Sequence, residues 1–277
     1  MLYIYIYIYV YLTFLRKMNR IIHFIISIII WCSFLNLIYA ISVIAKDEDE
    51  LINGFKNTKN KSLKKLVINL NDKTFEFSDD IKIESSVEKL YIEGTSKDHT
   101  IIKFNNVTNG IIFTNSLNSS KQEIKFKNIS INGYLKFNSI VNMVLEDANI
   151  NGTMDIDKTI DIDKDNISDE DYENYMNNYL NVTITMKKII YNGLTDSKYN
   201  CINLYGNVII DESKFYGSPF CENSLIHYDG ESFNSINISN SHFDGMFSNN
   251  CISMINGNSA DIGSSEFENC SGHLDGG

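Results

Sequence analysis

One octet pattern returns along the chain and constrains its fold more than any other feature. Toward the C-terminus, Ile210-x-x-Ser213-x-Phe215-x-Gly217 recurs as Ile238-x-x-Ser241-x-Phe243-x-Gly245 and as Ile262-x-x-Ser265-x-Phe267-x-Asn269, at offsets of 28 and 24 residues. The same frame, apolar or small at the first, fourth and sixth places with glycine at the eighth, is met upstream. It reads Met186, Ile189, Tyr191, Gly193; then Leu145, Ala148, Ile150, Gly152; then Phe126, Ile129, Ile131, Gly133; and first Val87, Leu90, Ile92, Gly94. Each copy is too short to bury a core alone, and its last apolar pair has the alternation of a strand.

Several of the glycines follow an asparagine (Asn132, Asn151, Asn192), which in isolation is a hairpin signal. Hairpins do not explain one motif returning about once per 24 residues, whereas a coil rising one strand spacing per turn does, with like side chains stacked about 4.8 Å apart. The sequence therefore predicts an all-β, parallel coiled architecture over residues 66–277. Phe215, Phe243 and Phe267 should form one internal aromatic ladder, and Ser213, Ser241 and Ser265 a ladder of small residues where the chain bends. Short segments between copies, such as Cys201 to Leu204, Ser224 to Ile226 and Cys251 to Met254, supply the other sides of each turn.

Ahead of the coils, Asp47 to Phe55 reads as a short amphipathic helix with acids in its first turn, suited to covering the open end of the first coil. It belongs to a cap region, 41–65. Strands are expected at Leu66 to Leu70, Thr74 to Phe77 and Ile81 to Ile83. Residues 155–180 break the repeat and read as an inserted acidic loop.

The first 40 residues have a different character. Alternating Tyr and Ile from Tyr3 to Tyr9 is what a simple TA repeat would encode, so 1–17 reads as a gene-model extension. Residues 18–40 follow with Arg20, an uncharged apolar run from Ile21 to Ile38, and Ala40 at a plausible cleavage site. This hydrophobic leader helix has the layout of a signal peptide; an uncleaved run over 21–41 would instead anchor the chain in a membrane, since about 20 apolar residues span a bilayer. Either way the remainder is expected in the secretory pathway, secreted or at the extracellular surface.

The net charge is −11, and residues 1–40 hold three cations (Arg16, Lys17, Arg20) and no acid, so the rest is more acidic still. That excludes nucleic acid as an expected partner and leaves membrane contact only to the N-terminal segment. Beyond Cys32 in the leader lie Cys201, Cys221, Cys251 and Cys270, which permit three disulfide pairings or a set of stacked free thiols. Sequons begin at Asn106, Asn118, Asn128, Asn151, Asn181 and Asn237, and also at Asn60, Asn166 and Asn269, so an exported chain would be open to glycosylation.

The order of helix, Val67 to Leu70, Ile81 to Ile83, Leu90-Tyr-Ile92-Glu-Gly94 and Thr100 to Ile102 resembles the opening coils of pectin-lyase-like right-handed parallel β-helix proteins. Phe267-Glu-Asn269-Cys270-Ser271 with Gly276-Gly277 resembles the repeats of polymorphic outer membrane proteins, although the asparagine stands two rather than three places after the phenylalanine. The first resemblance implies a right-handed solenoid over roughly residues 47–277. An end on Gly276-Gly277 without distinct capping sequence is expected of a truncated product.

Many proteins of that fold cleave acidic polysaccharides. The resemblance implies, for lyases, an Arg or Lys base beside calcium carboxylates and, for hydrolases, paired carboxylates with a His and an Arg-x-Lys grip. Here nothing after residue 40 is Arg, and Asn-Thr-Asp, Gly-His-Gly and Arg-x-Lys are absent. Asp79-Asp80 is an adjacent pair in an early turn, and His227 and His242 are histidines in a position to meet across neighbouring coils. No catalytic residue and no bound cofactor is therefore expected. Without a His-x-x-x-His or Cys-x-x-Cys pair zinc is not expected either. Asp161, Asp163 and Asp165 begin like a calcium loop, but the twelfth place is Tyr172 where Glu is required, so calcium is a weak candidate. The leading expectation is a non-catalytic, adhesin-like scaffold binding a glycan or a surface protein; the alternative is a fragment of a polysaccharide lyase or glycoside hydrolase whose catalytic coils are missing.

Overall fold

The structure, a computed structural model, describes residues 40–60, 63–115, 122–138, 141–156, 168, 181–193, 201–221 and 224–271. Of the chain's two units, Met1–Ala40 and Ile41–Gly277, the second carries the described fold. The leader and the 1–17 extension lie outside the described residues, as does nearly all of the 155–180 insertion. Among the described residues no helix is long and apolar enough to cross a membrane.

The elements open with β1 (Ala40–Ala45), helix α1 (Glu48–Lys56), β2 (Lys65–Leu70), β3 (Thr74–Phe77) and β4 (Ile81–Ser85). Next come β5 (Lys89–Glu93), β6 (Ile101–Phe104), β7 (Gly110–Asn115), β8 (Gln122–Asn132), β9 (Tyr134–Phe137), β10 (Val141–Asn151) and β11 (Met154–Ile156). They continue with β12 (Thr183–Lys187), β13 (Ile190–Asn192), β14 (Ile202–Leu204), β15 (Asn207–Asp211), β16 (Lys214–Tyr216) and β17 (Ser224–Asp229). The last are β18 (Ser235–Ser239), β19 (His242–Asp244), β20 (Asn250–Ile255), β21 (Ser259–Gly263) and β22 (Glu266–Glu268).

These strands form two sheets. The larger runs β1-β2-β5-β8-β10-β12-β15-β18-β21, with β3-β6-β8 and β10-β13-β16-β19-β22 as branches; the smaller runs β4-β7-β9-β11-β14-β17-β20. Every pair whose register is described is parallel. The protein is thus all-β with parallel sheets, an arrangement compatible with a parallel β-helix. Parallel neighbours cannot be joined by tight hairpins, so each strand meets its partner only after the chain has passed through the other strands.

Register shows what the octet repeat encodes. Its sixth place forms one inward column, Phe75, Ile102, Ile131, Ile150, Tyr191, Phe215, Phe243 and Phe267. The rings of Phe215 and Phe243 stack at 4.9 Å and 4°, and those of Phe243 and Phe267 at 4.8 Å and 6°, which is the strand spacing itself. Tyr191 prolongs the ladder at 6.2 Å and donates its hydroxyl to the Gly152 carbonyl oxygen at 2.5 Å. The expected aromatic ladder is therefore present.

The serine ladder is present too, and its purpose is visible. The amides of Ile189, Ser213 and Ser241 donate to the hydroxyls of Ser213, Ser241 and Ser265 at 3.0, 3.1 and 3.1 Å. Those hydroxyls donate in turn to the carbonyls of Asp211, Ser239 and Gly263, two residues back. Immediately before the fourth place of the frame sits a residue in the left-handed region: Asn128, Asp147, Lys188, Glu212, Asn240 and Ser264, with φ between 49° and 57°. That twist breaks the ladder of backbone bonds at the bend, and a serine hydroxyl restores what a side chain without a donor would leave unpaired.

The first copy of the frame is corrected by the register. Ile92 pairs with Phe126, the first place of the next copy, and not with Ile131, the sixth. Ile102 takes the sixth place instead, after a loop from Gly94 to Thr100. A side chain on Gly94 would overlap the carbonyl of Asn128, which explains its glycine without reference to the eighth place.

The cap differs from expectation in one element. Helix α1 starts at an Asp47 cap that accepts from the Glu50 amide, and it buries Leu51, Gly54 and Phe55 against the first turn. Lys73 pairs with Glu48 at 2.9 Å, and Thr58 donates to the Glu84 carbonyl. Ahead of it, however, β1 lies beside β2 and covers that edge, with Ala45 fully buried. The region read as a cap thus begins with a strand.

One outward column is charged and alternates largely in sign. Glu93, Lys127, Glu146, Lys187 and Asp211 stand on successive strands. Glu146 lies 2.5 Å from Lys125 and 2.9 Å from Lys127, which hold its carboxyl down at about 2, against an ordinary 4.5. A carboxylate with a depressed pKa stabilises the fold fully above its unfolded value and loses that contribution as pH falls toward its folded one. Thermal stability is thus expected to fall between pH 4.5 and 2 in part through Glu146. In Glu146→Gln that part of the slope should disappear; an unchanged slope would show that this pair contributes nothing.

Candidate functional site

The site residues expected from the sequence fall in different places. Asp161, Asp163 and Asp165 lie outside the described residues, as does Asn118. Asp79 and Asp80 are structural: Ser78 donates to Asp79, and the Gly110 amide donates to Asp80 Oδ1 at 3.0 Å, fastening one turn to the next. His227 and His242 are not brought together. His227 stands on β17 of the smaller sheet, in register with Asn203 and Ser253, whereas His242 stands on β19 of the larger.

The sequon asparagines divide by environment. Asn106 is exposed in a turn, where its Oδ1 accepts from the Thr108 amide; Asn181 is exposed, and Asn237 faces outward from β18. Asn128 is half-buried at a left-handed bend. Asn151 belongs to an amide ladder: its Nδ2 donates to Asn132 at 2.6 Å and its Oδ1 accepts from Asn192 at 2.7 Å.

The four cysteines close two disulfides, Cys201–Cys221 and Cys251–Cys270, with Cα separations of 5.1 and 5.2 Å. Stacked free thiols are thereby corrected. The first bridge packs against Gly193, where a side chain would overlap Cys201 Sγ.

One cluster of chemistry was missed by sequence reasoning. His242 and Asp244 project outward from β19 on either side of inward Phe243, because successive strand residues alternate faces. Glu266 and Glu268 occupy the matching places of β22. Glu268 Oε1 lies 3.2 Å from His242 Nε2, and Glu266 Oε2 lies 3.5 Å from Nδ1. Donor atoms of His242, Asp244 and Glu268 all lie within 4.8 Å of one another. The Oδ1 of Asp244 accepts from the Met246 amide at 2.8 Å and from Asn269 Nδ2 at 3.0 Å. Local motif spacing could not reveal this, because the ligand types sit 24 residues apart; the signal was His-x-Asp and Glu-x-Glu at the same two places of consecutive octets.

The outward column through the cluster is polar, while Met246 and Phe247, just beyond β19, are exposed and apolar. The column through Asp244 and Glu268 continues through Tyr216, Asn192, Asn151, Asn132, Lys103 and Glu76. It is a straight comb of hydrogen-bonding groups spaced by one strand per step.

No family model matches the chain, no curated protein matches it, and no solved structure matches it.

Proposed function

We propose that the repeating strands are successive coils of a right-handed parallel β-helix of the pectin-lyase-like kind, and that the protein is a secreted or cell-surface, adhesin-like scaffold that binds a glycan or a surface protein. The observation that carries this reading is the comb from Glu76 to Glu268, a long row of polar side chains on parallel backbone. Repeated donors and acceptors at one spacing suit an extended partner, and a preformed face loses little entropy on binding. Right-handedness follows from the preference of parallel crossovers. Two disulfides suit an oxidising compartment, in keeping with export through the leader.

Export in a eukaryotic host tests the reading. The chain should reach the medium or cell surface, with glycan on exposed Asn106, Asn181 and Asn237 and none on Asn151, whose amide nitrogen is committed to Asn132. Site-by-site mass spectrometry reads that outcome, and an intracellular, unglycosylated product would contradict it. On glycan arrays the purified chain should bind without depolymerising uronans. Cleavage of polygalacturonate, lost on changing a carboxylate, would replace the scaffold with an enzyme.

A further inference from the structure

We propose that His242, Asp244 and Glu268 form a binding site for a divalent transition-metal ion, zinc being the ion the donor set suits, with Glu266 orienting the imidazole from its far side. The site stands on local geometry and does not depend on what the polar faces bind.

Three features support it. The first is the donor set on a stiff frame: one imidazole and two carboxylates, with two of the three fixed on the same short strand and the third one coil away in register. In a tetrahedral zinc site with bonds of about 2.1 Å, ligand atoms stand about 3.4 Å apart, so closing from 4.8 Å asks for a small rotation. Glu268 can make it, because its side chain is exposed and has three free torsions.

The second is the setting of the imidazole between two carboxylates. With Glu266 beside Nδ1 and Glu268 beside Nε2, both nitrogens face an anion, so a ring carrying one N–H would turn a lone pair to a carboxylate unless a proton or a metal ion occupies the other nitrogen. A metal ion on Nε2 removes that conflict, and Nδ1–H then donates to Glu266, the carboxylate-histidine-metal arrangement that fixes the tautomer. The third is the hold on Asp244. Two donors already engage Oδ1, from the Met246 amide and Asn269, which orients the carboxylate and leaves Oδ2 outside those bonds.

The charge balance favours a cation. Asp244, Glu266 and Glu268 gather around one imidazole, and the groups facing it from β16 are Lys214, in register with His242, and Tyr216, in register with Asp244. Calcium is disfavoured, since it takes six to eight oxygen ligands and an imidazole is not among its usual donors. Three protein ligands leave a fourth position for water or for a group supplied by a partner.

The test is isothermal titration of the purified full chain, stripped with a chelator, using zinc chloride and separately calcium chloride. One zinc per chain is expected, with no calcium heat at this site. His242→Ala should abolish that zinc event. Glu268→Gln, nearly isosteric and exposed, should weaken it strongly, and Glu266→Gln by about 10- to 100-fold, as for groups behind a ligand. Unchanged thermal unfolding without metal would show that the variants fold. The proposal is overturned if the parent chain takes up no zinc, or if His242→Ala or Glu268→Gln binds zinc as the parent does.

Discussion

Phe243→Ala is expected to lower the unfolding free energy by about 3–5 kcal/mol, the range for deleting a buried aromatic ring, and to depress the melting temperature by about 6–20 °C. Phe243 is fully buried and sandwiched between Phe215 and Phe267, so its removal opens a cavity and breaks two stacked contacts at once. The walls of the cavity cannot collapse easily, because each neighbouring ring is tied to its own strand at the strand spacing. Phe267→Ala gives the contrast: that ring is 39% exposed, so its loss should cost well under half as much. Differential scanning calorimetry on the two variants reads both values, and equal small shifts would mean that the aromatic column does not organise the core.

Removal of the disulfides should have an effect of similar size. The bridges close loops of 20 and 19 residues, and each constrains the unfolded chain by about 3 kcal/mol on the chain-entropy estimate. The double variant Cys201→Ala with Cys221→Ala should therefore unfold about 6–12 °C lower than the parent. Reductant, which opens both bridges, should lower the parent by about twice as much, about 12–24 °C, and leave a variant lacking all four cysteines unmoved. Cys201 and Cys221 are both buried, so part of the loss will be packing. A parent chain indifferent to reductant would contradict the pairing.

Much of the fold was written in the octet, for a physical reason. In a stacked parallel array each side chain meets its own equivalent one turn later, so the sequence must repeat residue type at each place, and six copies of the frame align in the structure as they do on the page. What was misread depends on length, not on type. The first copy was placed wrongly because the loop from Gly94 to Thr100 separates its two strands, and Val87, Leu90 and Ile92 imitate the frame by chance alternation. Strand β1 was hidden because Ala40 to Ala45 continues the apolar leader without a break in composition. The disulfide partners could not be read, since four cysteines carry no record of which corners they occupy. His242, Asp244, Glu266 and Glu268 escaped for a related reason: metal motifs are sought within a short stretch of chain, while parallel pairing of β19 with β22 brings these residues together across 24 positions.

In-register stacking is tested most directly by spin labels on one outward column. Thr185, Ile209, Asn237 and Asp261 follow one another on β12, β15, β18 and β21. With Cys32→Ser removing the leader cysteine, cysteines are introduced pairwise, Thr185→Cys with Ile209→Cys, with Asn237→Cys, or with Asp261→Cys. Backbone separations should be about 5, 10 and 14 Å. Dipolar broadening of the spectrum should accordingly be strong for the first pair, weaker for the second and slight for the third. A first pair without broadening, or a third pair closer than the first, would contradict parallel stacking and with it the common core on which every other inference rests.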